Sequence, residues 1–212
     1  MKNYVITIAR GFGSGGKQIA LKLAEELGIE CYENRIVYLT AQMAGIDEAE
    51  YMRIDERLRE SGVGRMLSEI PKQIFPMPVT KRFRSQDMMF DCQSSIIRKL
   101  AETESCIIVG KCADYVLRDY ENVVSVYIEA PRRYCVKRIM ERMHCGESQA
   151  HAMIEKTDKY RAEYYKYYTH GNYWTNPVNY DLTLNSERLG ERGCINMIKA
   201  CLREKTEMTG GI

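Results

Sequence analysis

The chain has 212 residues, 45% hydrophobic and 28% charged, and its 31 basic and 29 acidic residues leave a formal net charge of +2. This composition is ordinary for one folded globular domain and excludes a disordered or fibrous chain. The near balance of charge excludes a general nucleic-acid or membrane-surface binder, so any basic patch is local. Residues 1–10 lack the features of a secretory signal, and no apolar run approaches the roughly 18 residues of a membrane span, so we expect a cytoplasmic protein.

The eight cysteines form no CxxC pair and show no regular spacing. In a cytosolic chain this pattern favours reduced, buried thiols over disulfides. His144, Cys145 and His151 lie close together, but a fourth ligand and the usual zinc spacing are missing. We therefore assign no metal site to these three residues.

The N-terminal segment gives the clearest local signal. Residues 4–9 are a short apolar, β-branched run typical of a buried parallel strand, and a glycine-rich loop follows it. From Lys17 onward the apolar residues recur at helical spacing, and Gly28 is a plausible C-terminal stop. The sequence therefore predicts a strand, a glycine loop and a helix in direct succession.

Further strands are predicted at residues 106–109, 123–128 and 182–184, and a C-terminal helix at about 191–205. Strands that alternate with helices predict an α/β fold with a parallel sheet and right-handed crossovers. Two segments interrupt this core. Residues 34–101 contain a proline-rich stretch and a basic run, and form either a surface connection or a flap over the substrate. Residues 132–168 are helical and hydrophilic, with a break near 144–148.

The glycine loop from Gly11 to Lys17 fits the pattern GxxxxGK. Glycines in this pattern let successive backbone N–H groups turn inward around phosphate oxygens, while the lysine reaches the terminal phosphates. The helix that starts at Lys17 adds the positive end of its dipole. The alternative is a strand-to-helix turn that needs glycine only for its positive φ angles. The predicted triphosphate-binding residues are Gly11, Phe12, Gly13, Ser14, Gly15, Gly16, Lys17 and Gln18.

Gln18 departs from the Walker A pattern, which carries Ser or Thr there to hold magnesium. The amide oxygen of Gln18 can accept a hydrogen bond from a water of the metal shell, but it is not a hydroxyl ligand of the metal.

Several segments in chain order resemble the cytidylate kinase-like family of P-loop proteins. The loop segment from Ile6 to Lys17 carries the resemblance first. Further matching segments are Leu23-Ala-Glu-Glu-Leu-Gly28, Tyr32-Glu-Asn-Arg35, Ile107-Ile-Val-Gly-Lys-Cys-Ala-Asp114, Val126-Tyr-Ile-Glu-Ala-Pro131, Asp158-Lys-Tyr-Arg-Ala-Glu-Tyr-Tyr165 and Asn179-Tyr-Asp-Leu-Thr-Leu-Asn185.

The resemblance implies a single three-layer P-loop NTPase domain over residues 1–212, with a five-stranded parallel sheet. Its helical insertions would be a monophosphate-binding region at about 34–101 and a lid at about 132–168. The implied reaction moves the γ-phosphoryl group of ATP, with Mg²⁺, onto CMP, dCMP or a related monophosphate. The partners are thus a nucleoside triphosphate and a small phosphorylated acceptor.

The resemblance also implies roles for single residues. Lys17, Arg138, Arg142 and Arg161 would neutralise the transferring phosphoryl group. The acceptor would be bound by Arg35, Gly110, Lys111, Asp114, Asp158 and Lys159. Lysine stands at 111 where the family has arginine, which changes the geometry of any phosphate contact.

Asp158 and Arg161 are three residues apart, so they form either an exposed helix pair or a pair in which Asp158 positions Arg161. The tyrosines between 160 and 168 most often pack a helix against a core, and we assign them no catalytic role. Two other functions stay open: a kinase for a different small metabolite, and a nucleotide-binding regulator that does not transfer phosphate.

Overall fold

The computed structural model describes residues 3–33, 36, 39–40 and 86–210. The chain divides into two compact units, residues 1–31 with 100–212 and residues 32–99. In the second unit the Thr40 hydroxyl donates a hydrogen bond to the carbonyl of Ile36 (2.6 Å). The proline-rich stretch and the basic run of the predicted insertion lie outside the described residues. The described residues of the candidate site all belong to the first unit.

Five strands form one parallel sheet in the order β2-β3-β1-β4-β5. The strands are β1 (Val5–Arg10), β2 (Glu30–Tyr32), β3 (Cys106–Val109), β4 (Val123–Glu129) and β5 (Leu182–Asn185). The helices of the described residues are α1 (Gly16–Leu27), α2 (Gln86–Thr103), α3 (Ala113–Val116), α4 (Arg132–Met143), α5 (Glu147–Tyr168) and α6 (Ser186–Gly210). The predicted α/β class and parallel five-stranded sheet are confirmed.

β1 is the central strand, paired with β3 on one side and β4 on the other. Because strand side chains alternate between faces, Ile6 and Ile8 point to the same side of the sheet. On that side they join a core that includes Leu23 of α1 and Ile198 of α6, all fully buried. This packing fixes the end of β1 and the start of α1, the two elements that the glycine loop connects.

α4 and α5 form a helical hairpin, which we call the lid hairpin, in the predicted lid region. α4 ends where His144 adopts a left-handed conformation (φ 51°), and at the start of α5 the Gly146 N–H donates a hydrogen bond to Oε1 of Gln149 (3.3 Å). The predicted break near 144–148 is thus confirmed. The hairpin has its own small core, built around Val136, Ile139, Ala150 and Ile154, and Phe12 of the glycine loop packs against it.

The eight cysteines are all unbridged, as the sequence predicts. No helix among the described residues is long and apolar enough to cross a membrane.

Thr7 offers a test of the sheet core. Its side chain is 1% exposed in the middle of β1, and its hydroxyl has no hydrogen-bond partner among the described residues. Since a buried, unsatisfied hydroxyl is costly, Thr7→Val should raise the free energy of unfolding by about 1 kcal/mol. Urea denaturation measures this, with Thr183→Val at an exposed strand position as the control. A loss of stability in Thr7→Val would show that the hydroxyl is hydrogen-bonded, for example to water.

Candidate active site

The glycine loop between β1 and α1 has the conformation of a tight backbone cradle. Gly13 and Gly15 adopt positive φ angles of 91° and 86°, which residues with a Cβ rarely adopt. The Ser14 hydroxyl donates to the carbonyl of Gly11 (2.9 Å) and accepts from the Gly16 N–H (3.4 Å). The Ser186 hydroxyl, at the start of α6, donates to the carbonyl of Ser14 (2.5 Å). The conformation of the loop is therefore stabilised by hydrogen bonds of its own Ser14 and by Ser186, which directly follows β5.

The loop leads directly into the N-terminus of α1, whose first turn presents backbone N–H groups that lack helical partners. Such an end favours an anion because its donors and its dipole act together. Lys17 in the first turn is exposed, and Gln18 beside it is half-buried. The described loop thus fits the phosphates of a nucleotide.

Two predicted lid arginines approach the loop from α4. The Arg138 guanidinium lies over Gly15, since a Cβ built there would be 3.2 Å from Nη2 of Arg138. Arg138 also donates to the Tyr134 hydroxyl (3.3 Å). Arg142 stacks over the Phe12 ring, with its Cζ 5.3 Å from the ring centroid. The structure therefore brings both arginines to the loop, although some 120 residues of sequence separate them from it.

Asp158 and Arg161 of α5 connect the lid hairpin to the loop. The Phe12 N–H donates to Oδ1 of Asp158 (2.9 Å), and Arg161 Nη1 donates to the same oxygen (3.2 Å) and to the carbonyl of Arg10 (3.0 Å). Both side chains are largely buried, with exposed fractions of 25% and 20%. The geometry thus favours the reading in which Asp158 positions Arg161. Lys159 on the same helix is exposed and takes no part in these hydrogen bonds.

Burial raises the pKa of the Asp158 carboxyl, while the Arg161 guanidinium and the Phe12 N–H act to lower it. The two partners stabilise the ionised form that the hydrogen bonds require.

The turn after β3 is unusually strained. Gly110, Lys111 and Cys112 follow one another with positive φ angles of 76°, 59° and 53°. For residues other than glycine this conformation costs roughly 1–2 kcal/mol each, so the surroundings must hold the turn in place. The Arg10 guanidinium lies against Gly110, where a Cβ would overlap Nη1 of Arg10.

Asp114 follows this turn and is 7% exposed. Its Oδ2 accepts a hydrogen bond from the Tyr165 hydroxyl of α5 (2.7 Å). The Asp114 carboxylate is therefore hydrogen-bonded to α5, and its predicted contact with the acceptor stays a prediction. The tyrosine pattern on α5 predicted packing, but it gave no sign of this hydrogen bond.

Sequence reasoning also missed Glu129 at the end of β4. Its carboxylate lies against Gly11, where a Cβ would overlap it, and accepts from the Tyr127 hydroxyl (2.5 Å) and the Ala130 N–H (2.9 Å). An acidic residue that ends a buried strand at the carboxyl edge of a parallel sheet was the available signal. Arg10, at the corresponding end of β1, carried the same signal. Arg35, the remaining predicted acceptor residue, lies outside the described residues.

The fold and the loop together define the P-loop kinase class of α/β proteins. A model of the cytidylate kinase-like family matches residues 5–188. The chain belongs to this family. The comparison with curated proteins returns no match.

Two solved structures are similar over nearly the whole chain. An uncharacterized protein from Eubacterium ventriosum ATCC 27560 is 27% identical, with 95% of this chain and 99% of that chain covered and a TM-score of 0.69. A gluconokinase from Sinorhizobium meliloti 1021 is 12% identical, with 98% and 96% covered and a TM-score of 0.54. At 12% identity the second likeness concerns the fold alone.

The buried Asp114 predicts a pH dependence of stability. Burial raises its pKa from 3.8 to about 6, against the opposing effect of the Tyr165 hydrogen bond. Between these pH values the unfolded chain releases the proton and the folded chain keeps it, so the stability from this group falls as pH rises and levels off above pH 6. The stability of the wild type relative to Asp114→Asn should fall by about 3 kcal/mol across this window.

Urea denaturation at pH 4, 5, 6 and 7 measures the difference. Asp119→Asn is the matched control, because the Asp119 side chain is 82% exposed. If the free energy of unfolding of the wild type, relative to that of Asp114→Asn, rose with pH, the predicted effect of the buried carboxyl would be contradicted.

Proposed function

We propose that the protein is an ATP-dependent kinase that transfers the γ-phosphoryl group to a nucleoside monophosphate, with CMP and dCMP as the first candidates. The observation that carries the proposal is the approach of the lid hairpin to the phosphate loop. Arg138 lies over Gly15, Arg142 lies over Phe12, and Arg161 is hydrogen-bonded beside them. Membership of the cytidylate kinase-like family supports the same class of reaction.

Each part of the loop has a proposed role. The backbone from Gly11 to Gly16 would bind the β- and γ-phosphates, and Lys17 would reach the terminal phosphate. Mg²⁺ bound with ATP would neutralise phosphate charge. The Gln18 amide oxygen, in the first turn of α1, would accept from a water of the metal shell.

The lid arginines would act on the charge of the transferring group. In phosphoryl transfer this charge spreads over the equatorial oxygens, and fixed cations stabilise it without reorganisation. A phosphate oxygen of the acceptor forms the new bond to the γ-phosphorus while the bond to the β,γ-bridging oxygen breaks, leaving ADP. The acceptor phosphate is already anionic, so the transfer needs no general base.

The acceptor is proposed to lie at the turn that contains Gly110 and Lys111, beside Asp114. Arg35 and Lys159 stay predictions for the same acceptor.

A second candidate is a nucleotide-binding regulator that does not transfer phosphate. Gln18 favours it, because a Walker A loop carries a hydroxyl ligand for magnesium at that position.

The proposal is tested by ADP formation with Mg·ATP and a panel of ribo- and deoxyribonucleoside monophosphates, with shikimate, gluconate and other hydroxyl acceptors as a second panel. Turnover with CMP or dCMP is expected. Turnover only with a hydroxyl acceptor would replace the proposed substrate class. Tight ATP binding with no turnover in either panel would favour the regulator.

Lys17→Ala tests the phosphate loop. Removal of a charge-assisted phosphate contact should weaken ATP binding roughly 100-fold, measured by calorimetry with a nonhydrolysable ATP analogue. Lys22→Ala is the matched control, since Lys22 lies on the same helix, is largely exposed and pairs with Glu191. Equal ATP affinity in Lys17→Ala and the wild type would refute the loop assignment.

Asp158 provides a graded test of the lid contact. Asp158→Asn keeps an oxygen that can accept from the Phe12 N–H but removes the charge that holds Arg161, whereas Asp158→Ala removes both. We expect kcat to fall roughly 10-fold in Asp158→Asn and further in Asp158→Ala, because Arg161 then loses its position. The KM for ATP should change little. An unchanged kcat in Asp158→Ala would show that Arg161 does not act in the transfer.

A further inference from the structure

Arg10 is the last residue of β1 and stands directly before the first glycine of the loop. β1 pairs with β3 so that Ile8 lies opposite Val109, and the Gly110 N–H donates to the carbonyl of Ile8 (3.0 Å). This register places Arg10 level with the turn after β3. In open α/β sheets ligands bind outside the carboxyl ends of the strands, and Arg10 lies at that edge.

The Arg10 side chain extends from the loop to the turn. A Cβ built on Gly16 would lie 2.6 Å from Cβ and 3.2 Å from Cγ of Arg10, so the aliphatic stem covers the last glycine of the loop. A Cβ built on Gly110 would lie 3.4 Å from Cζ of Arg10 and would overlap Nη1. The two glycines therefore leave the space in which this arginine crosses from one segment to the other.

The backbone of Arg10 is tied to the lid as well, because its carbonyl accepts from Nη1 of Arg161 (3.0 Å). One residue thus contacts the phosphate loop, the strained turn after β3 and the lid hairpin. In the proposed reaction the donor phosphates lie on the glycine loop and the acceptor lies at the turn after β3.

We infer that Arg10 binds the phosphate of the acceptor and holds it beside the γ-phosphate of ATP. A guanidinium is planar, stays charged, and presents paired N–H donors that match two phosphate oxygens. The inference rests on the proposed phosphotransfer, to which it adds a residue that contacts the acceptor. The absence of a side chain at Gly110, whose positive φ of 76° itself favours glycine, leaves the space that the guanidinium occupies.

The test is the binding of inorganic phosphate to the protein saturated with the magnesium complex of a nonhydrolysable ATP analogue, measured by calorimetry. The wild type should show one saturable phosphate site beyond the nucleotide. Loss of hydrogen bonds to a charged group should weaken phosphate binding roughly 10- to 100-fold in Arg10→Gln. Arg10→Lys should be intermediate, because it keeps the charge but loses the paired donors.

Affinity for the ATP analogue should change less than roughly threefold in both variants, since other groups hold the triphosphate. Arg203→Gln is the matched control, because Arg203 is exposed on α6, outside the loop, turn and lid contacts described here, and it should bind phosphate like the wild type. If Arg10→Gln fails to fold, as judged by its thermal midpoint, Arg10→Lys carries the comparison.

Phosphate binding within twofold of the wild type in the folded Arg10 variants would overturn the inference, as would a wild type without a saturable phosphate site. The two proposals fail separately. Phosphate binding that depends on Arg10, together with no turnover of any monophosphate, would refute the proposed acceptor and support the anion site. Turnover with CMP and an unchanged acceptor KM in Arg10→Gln would refute the inference alone.

Discussion

One hydrogen bond connects the two halves of the candidate site: the Phe12 N–H of the glycine loop donates to the Asp158 carboxylate of the lid hairpin. This contact joins residues 146 positions apart in the chain. Because Asp158 also accepts from Arg161, the carboxylate fixes a cation and a loop amide at once. The Phe12 ring then packs against the small core of the lid hairpin, so apolar burial and a charged hydrogen bond hold the same residue.

A second constraint is the space beside the glycines of the loop, which other segments of the chain occupy. Gly11, Gly13 and Gly15 are each approached by another segment, through Glu129, the backbone of Cys135 and Arg138 respectively. Gly13 and Gly15 therefore permit the turns of the loop, while Gly11 and Gly15 admit a charged side chain to its surface. The turn at Gly110 repeats the principle on the neighbouring strand, where Arg10 fills the space. At the carboxyl edge of the sheet, charged side chains thus lie directly against backbone that carries no side chain.

The fold was largely predictable because its signals are local. The β3 run of four buried apolar residues was predicted at both ends, and the break in the lid region followed from His144 to Gly146. The C-terminal helix was predicted at about 191–205. The observed α6 is interrupted at Gly190 (φ 66°), so the long part of the helix starts where it was predicted, after a short helical turn from Ser186.

The site was predictable only where its chemistry lies within one segment. The glycine loop met this condition, because its glycines, its lysine and the start of α1 are contiguous, and its conformation is the predicted one; its binding of phosphates stays a prediction. The bond from Tyr165 to Asp114 did not, since its partners are 51 residues apart and neither shows a periodic pattern that names the other. Arg10 and Glu129 are the last residues of two strands that the sequence predicted. Their part in the site could not be predicted, because only the sheet order shows that both strand ends lie at the same loop.

The arrangement of the arginines bears on how such a site would meet a phosphoryl group. The Tyr134 hydroxyl contacts Arg138, and the Phe12 ring lies against both Arg142 and Arg161, the second of which also donates to the Asp158 carboxylate. Cations of the same charge are thereby held near one loop by contacts within the protein. The electrostatics of the site are thus coupled to lid stability, since loss of lid packing would release the arginines together.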